Sequence, residues 1–162
     1  MNRFAKCLGL LLVLLISNPA HAEHFEYELT VDKGHDKARG SSDDDPPAMG
    51  LKPREVVHVK RGQPIVFQFF MTSNFPHDPL KGVGVLYYIV PEEKAGQTTK
   101  PPIGDDAVLR GRFVMDFKPS TGKVGVRQQL RIDKPGAYLV RAESEHSASD
   151  HEHFAAVDVV VE

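Results

Sequence analysis

Cysteine is almost absent from this chain. The only one, Cys7, lies in the first 22 residues, ahead of an apolar run rather than after it. Everything downstream therefore lacks a thiol, which excludes disulfides, cysteine–zinc sites and a cysteine nucleophile. The position of Cys7 also makes it a poor lipid anchor. Long hydrophobic runs are scarce too. Leu10 to Ile16 is the apolar stretch of the chain start, and it is too short to anchor stably in a bilayer. With Arg3 and Lys6 before it and Ala20-His21-Ala22 behind it, the stretch reads as a secretory signal of residues 1–22. A single domain over 23–162 follows, exported to the periplasm or the extracellular medium. No later stretch is apolar for long enough to predict an integral membrane segment.

Positive charge is in short supply as well. Two of the 20 basic residues lie in the signal and none of the 22 acidic ones does, so the mature domain carries 18 against 22, a formal charge of −4. With no basic stripe interleaved with aromatics, nucleic acid is not an expected partner, and neither is an anionic membrane surface. Catalytic signatures are missing: there is no Gly-x-Ser-x-Gly, no His-Glu-x-x-His and no phosphate-cradling glycine loop. The expectation is a non-catalytic protein. At 140 residues, the mature chain is long enough to bury a core without covalent staples.

Helical periodicity is the last absence. Apolar residues recur instead at every second position, which is the strand signal. Phe25, Tyr27, Leu29 and Val31 alternate with polar neighbours, as do Val57 and Val59, then Ile65, Phe67, Phe69 and Met71. Phe113, Met115 and Phe117 repeat the pattern. So do Val124, Val126, Leu130 and Ile132, Tyr138, Val140 and Ala142, and finally Ala155, Val157, Val159 and Val161. Val83 to Val90 is apolar at both parities, as in a strand covered on both faces. Turn signals fall between these runs at Arg61-Gly62-Gln63-Pro64, Ser120-Thr121-Gly122-Lys123 and Asp133-Lys134-Pro135-Gly136. The pattern predicts an all-β fold, one antiparallel β-sandwich of seven to eight strands. Residues 32–53 and 91–106 are poor in apolar residues and read as long mobile loops.

One segment carries the residue types of a site. Glu145-His146-Ser147-Ala148-Ser149-Asp150-His151-Glu152-His153 places three histidines within eight residues. Extending the inward row Tyr138, Val140, Ala142 reaches Ser144 and His146; extending Ala155, Val157, Val159 backwards reaches His153 and His151. With Ser147 to Asp150 as the turn, His146 faces His151 across the hairpin. Imidazole nitrogens suit Cu, Zn or Ni, and Asp150 or Glu145 would supply an oxygen ligand. The plain alternative is a solvated hairpin tip. His77, in Phe75-Pro76-His77-Asp78-Pro79, joins the cluster if its loop emerges at the same end. His24 lies second in the mature chain, so a brace by a terminal histidine and its own amine is not offered. His35 and His58 are expected at the surface.

The run Val57-His58-Val59-Lys60-Arg61-Gly62-Gln63-Pro64-Ile65-Val66-Phe67, followed by Asn74-Phe75-Pro76-His77, resembles the front half of a cupredoxin-like domain, where strand, glycine turn and strand lead to a first histidine ligand. Pro135-Gly136-Ala137-Tyr138, leading to His146, resembles the strand that enters the ligand loop of that family. Similar corners occur in immunoglobulin-like sandwiches. The resemblance covers about half of the mature chain, and implies an immunoglobulin-like or cupredoxin-like sandwich with His77 and His146 as ligands. The missing cysteine excludes a blue copper centre, which needs the thiolate. Two functions follow as expectations. One is a metal carrier or accessory module using His146, His151 and His153, with Asp150 and His77 as additions. The other is an interaction domain that recognises an envelope protein or glycan through loops 32–53 and 91–106.

Overall fold

The computed structural model describes residues 25–39, 53–74, 80–96, 100–118, 121–145 and 154–162. Nine strands run through them: β1 Phe25–Val31, β2 Gly34–Arg39, β3 Glu55–Val59, β4 Pro64–Ser73, β5 Leu80–Glu92, β6 Leu109–Phe117, β7 Val124–Arg131, β8 Gly136–Glu145 and β9 Phe154–Val161. They form a four-stranded sheet in the order β2-β1-β4-β7 and a five-stranded sheet in the order β3-β9-β8-β5-β6. All pairs are antiparallel except β3–β9, which is parallel. From β4 to β9 the chain passes between the sheets in the Greek-key order of immunoglobulin-like sandwiches.

Each sheet presents an alternating face to the interior. Phe25, Tyr27, Leu29 and Val31 from β1 and Ile65, Phe67, Phe69 and Met71 from β4 meet Val85 and Ile89 of β5, Val140 and Ala142 of β8, and Val157 and Val159 of β9. Ring pairs link them: Tyr27 stacks on Phe69 at 5.3 Å, and Phe25 tilts against Phe117 at 5.1 Å. The inward parity read from the sequence holds along these strands; on β1 and β4 the other parity stays partly exposed, whereas on β5, β8 and β9 it is largely buried as well.

Three features differ from the sequence reading. Gly34–Arg39, expected in a loop, is the strand β2, paired with β1 from Val31↔Gly34 to Glu26↔Arg39. Its polar composition hides it, since it is an edge strand. Gly34 is required where it sits: a Cβ there would lie 2.3 Å from Val57 Cγ2 and 2.8 Å from Val157 Cγ1. β3 and β9 run parallel where only antiparallel pairing was expected, because the chain crosses between sheets after β2. Finally, β5 extends to Glu92, so the second long loop begins later than expected. The turn into β8 is fixed as its sequence suggested: Tyr138 donates its hydroxyl to the Lys134 carbonyl at 2.7 Å, a tyrosine corner.

Candidate functional site

The β8–β9 hairpin and the β4–β5 connection carry the expected ligands. His146, Asp150, His151, His153 and His77 themselves lie outside the described residues. The strands that lead into both segments are described. On β8, Tyr138, Val140, Ala142 and Ser144 are buried; on β9, Ala155, Val157, Val159 and Val161 are buried. The hairpin register runs from Gly136↔Val161 through Ala142↔Ala155 to Glu143↔Phe154 without a shift.

Strand pairing also fixes where the chain leaves the sandwich. Phe25, the first residue of β1, pairs with Ser73, the last of β4. β5 begins at Leu80 opposite Phe117, and its Gly84 pairs with Glu145, the last residue of β8. The Phe25–Phe117 ring contact joins the two sheets at this end. The exits toward His77 and toward the His-rich run are thus at one end of the sandwich, the condition the sequence left open for His77.

That end has a buried polar lining. Tyr27 is fully buried, and loss of solvent pushes its phenol pKa up; the Ser144 hydroxyl beside it opposes the shift and the Glu143 charge adds to it. The two described histidines are elsewhere and exposed, as expected. His58 Nδ1 pairs with Glu162 Oε1 at 2.8 Å, and His35 Nε2 lies 3.8 Å from Glu28 Oε1. Among the described residues no group of three His, Cys, Asp or Glu side chains is arranged to hold a metal ion.

A second polar cluster was not foreseen. On the outer face of the five-stranded sheet Arg54 donates from Nε to Asp158 Oδ1 at 2.5 Å and from Nη2 to Glu92 Oε2 at 2.8 Å. The Gly96 amide donates to the other Asp158 oxygen. One strand away, Arg141 Nε donates to Glu143 Oε2 at 2.5 Å, Tyr88 donates to the same carboxylate at 3.2 Å, and Lys100 Nζ lies 3.3 Å from it. The Arg141 guanidinium rests 3.8 Å from the centroid of the Phe154 ring. Asp158, Glu92 and Arg141 side chains are wholly buried, and Arg54 and Glu143 nearly so. The segment after β5 covers them, with Ile103 and Ala107 packing on Leu86, Tyr88, Val90, Leu139, Phe154 and Ala156. Three cations face three anions here. Isolated buried charges cost several kcal/mol each, so the cluster rests on the pairing of these opposite charges. It clasps the covering segment to the sheet. The described residues of the loop, 93–96 and 100–106, are thus irregular as the sequence suggested, but Gly96, Lys100 and Ile103 tie them to the sheet.

The reason these residues escaped notice is parity. Arg141 and Glu143 alternate with Val140 and Ala142, and Asp158 sits between Val157 and Val159, so all three read as a solvent-facing row. Two signals pointed the other way: the two-sided apolar run of β5, and one acid alone in the valine-rich end of β9.

No family model matches the chain, and no curated protein matches it. Solved structures similar in fold include a CARDB domain from Pyrococcus furiosus in complex with di-metal ions, with 11% identity, a TM-score of 0.43 and coverage of 86% of this chain and 94% of that one. A chitin binding domain from Burkholderia pseudomallei aligns with 12% identity and a TM-score of 0.45 over 77% of this chain and 73% of that chain. The PmoD soluble domain from a Methylocystis species aligns with 10% identity and a TM-score of 0.39 over 85% and 90%. At these values the likeness is one of β-sandwich architecture. Among the described residues no helix is long and apolar enough to cross a membrane.

Proposed function

We propose that the chain is an exported, non-catalytic β-sandwich module that holds a transition metal, Cu, Zn or Ni, at the β8–β9 hairpin. His146, His151 and His153 are the ligands, with Asp150 and His77 as additional ones. The observation that carries this reading is the hairpin register. Ala142↔Ala155 and Glu143↔Phe154 are the last described pairs. The arrangement expected from the sequence, with His146 across from His151 and His153 on the same inward row, is the one-for-one continuation of that register and of the parity that buries Ala142, Ser144 and Ala155. The shared exit of the β4–β5 connection supports His77 as a fourth ligand. With no thiol, the site serves binding, delivery or buffering of the ion rather than blue-copper electron transfer.

Calorimetric titration of residues 23–162 with Zn(II), Cu(II) and Ni(II) tests the reading. Binding is expected for the parent and lost in the triple His146→Ala, His151→Ala, His153→Ala variant; equal affinity for both would refute it. Only neutral imidazole ligates. Affinity should therefore fall as pH drops from 8 to 5, and an affinity flat over that range would contradict imidazole ligation.

A further inference from the structure

The two flanks of the sandwich are built differently. On the β2–β3 side the core is sealed: Val57 and Val59 of β3 are buried and Gly34 of β2 packs directly against Val57 and Val157. On the β6–β7 side it is not. The inward rows of both edge strands, Leu109, Phe113 and Met115 on β6 and Val124, Val126 and Leu130 on β7, remain half-exposed while packing on the core. The four-stranded sheet stops at β7, and no described strand pairs with the far edge of β7. Among the described residues the place beyond β7 is unfilled, and a strand added there would lie beside eight residues, Val124–Arg131.

The charges around the gap say what fits. On the outer face of the four-stranded sheet Arg127 and Arg131 of β7 border it, with Lys123 just ahead of them; Arg110 and Arg112 of β6 lie on the opposite outer face, and from Leu109 to Arg131 Asp116 is the single acid. Arg112 is paired with Glu145 and Lys123 with Glu28, while Arg110, Lys118 and Arg127 have no acidic partner among the described residues. In a domain with net negative charge this is a local basic rim. A second copy would bring the same basic edge against itself, so self-pairing is opposed by like charge.

The geometry points to strand addition at β7 by an extended segment of another protein, with apolar side chains at alternate positions turned into the gap and acidic ones turned outward toward Arg127 and Arg131. Main-chain hydrogen bonds to β7 hold the segment, and the half-exposed row fixes its register. Gln128 interrupts that row between Val126 and Leu130, so the matching inward position takes a small or polar residue.

The probe is a capped seven-residue peptide alternating Val and Glu, titrated into isotope-labelled residues 23–162. Saturable amide shifts concentrated on residues 124–131 are expected. The peptide with Lys in place of Glu should give none, and an Arg127→Glu variant should bind at least about tenfold more weakly with an unchanged thermal midpoint. Absence of shifts on β7, or equal binding of the Lys peptide, would overturn the inference. So would concentration-dependent dimerisation that protects the β7 amides, or binding to anionic vesicles in place of the peptide.

Discussion

Asp158→Ala is the substitution that most sharply probes the clasp on the outer face. The Asp158 carboxylate is wholly buried and accepts from Arg54 and from the Gly96 amide. Removing it leaves an amide without its acceptor and half-strips a buried guanidinium. Breaking a buried pair typically costs about 3–5 kcal/mol. Arg54 keeps Glu92 at 2.8 Å, so the expected loss is at the lower end, about 3 kcal/mol. For a domain of this size that is a large fraction of the total stability, and it lowers the thermal midpoint by roughly 10 °C. Urea unfolding at pH 7 measures it. A cycle with Arg54→Ala should show a coupling of about 1.5–3 kcal/mol, since the second removal takes away a charge already half-stripped of its partners by the first. Hydrogen exchange should report faster opening of the Gly96 amide in Asp158→Ala, because that amide belongs to the clasped segment. A loss below about 1 kcal/mol, or additive single effects, would refute the clasp as a stabilising network.

Further outcomes follow from other parts of the fold. The Tyr27 phenol has its pKa raised by burial above the ordinary 10.0, and Tyr138 is shifted in the same direction. A raised folded-state pKa gives stability that is complete below about pH 10 and lost as pH climbs toward the folded value, so Tyr27→Phe should flatten the fall in unfolding free energy between pH 9 and 11; an unchanged slope counts against it. Gly34→Val drives a side chain into Val57 and Val157 and should cost about 2 kcal/mol of unfolding free energy, with the methyl signals of those two valines displaced; a cost under about 0.5 kcal/mol would show that β2 is not packed as described. Mass spectrometry of the exported protein should find a chain beginning at Glu23, and an intact Met1–Ala22 segment in the mature protein would contradict the signal reading.

Much of the sandwich was legible because burial on one face imposes period 2. The rows through Tyr27, Phe69, Val140 and Val157 announce both strands and inward faces. What stayed hidden depends on neighbours distant in sequence. β2 is polar because it is an edge, and nothing local in Gly34–Arg39 distinguishes it from a loop. Arg141, Glu143 and Asp158 occupy the parity that elsewhere faces water; only the covering segment after β5 makes them buried. The half-open β6–β7 flank is equally invisible, since Phe113 and Val126 follow the same alternation as Phe67 and Leu29. For the candidate site, composition revealed the His-rich run and alternation placed its flanks. The parity of Ser144 and Ala155 and the common exit beside Phe25 and Ser73 agree with that reading.

X-ray absorption on the Zn(II)-loaded mature domain addresses the ligand set itself. The reading requires nitrogen scatterers at about 2.0–2.1 Å with imidazole multiple scattering from three or four rings. One ring's contribution should disappear in each of His146→Ala, His151→Ala and His153→Ala. A shell of oxygen scatterers alone, or a spectrum unchanged by all three substitutions, would contradict it.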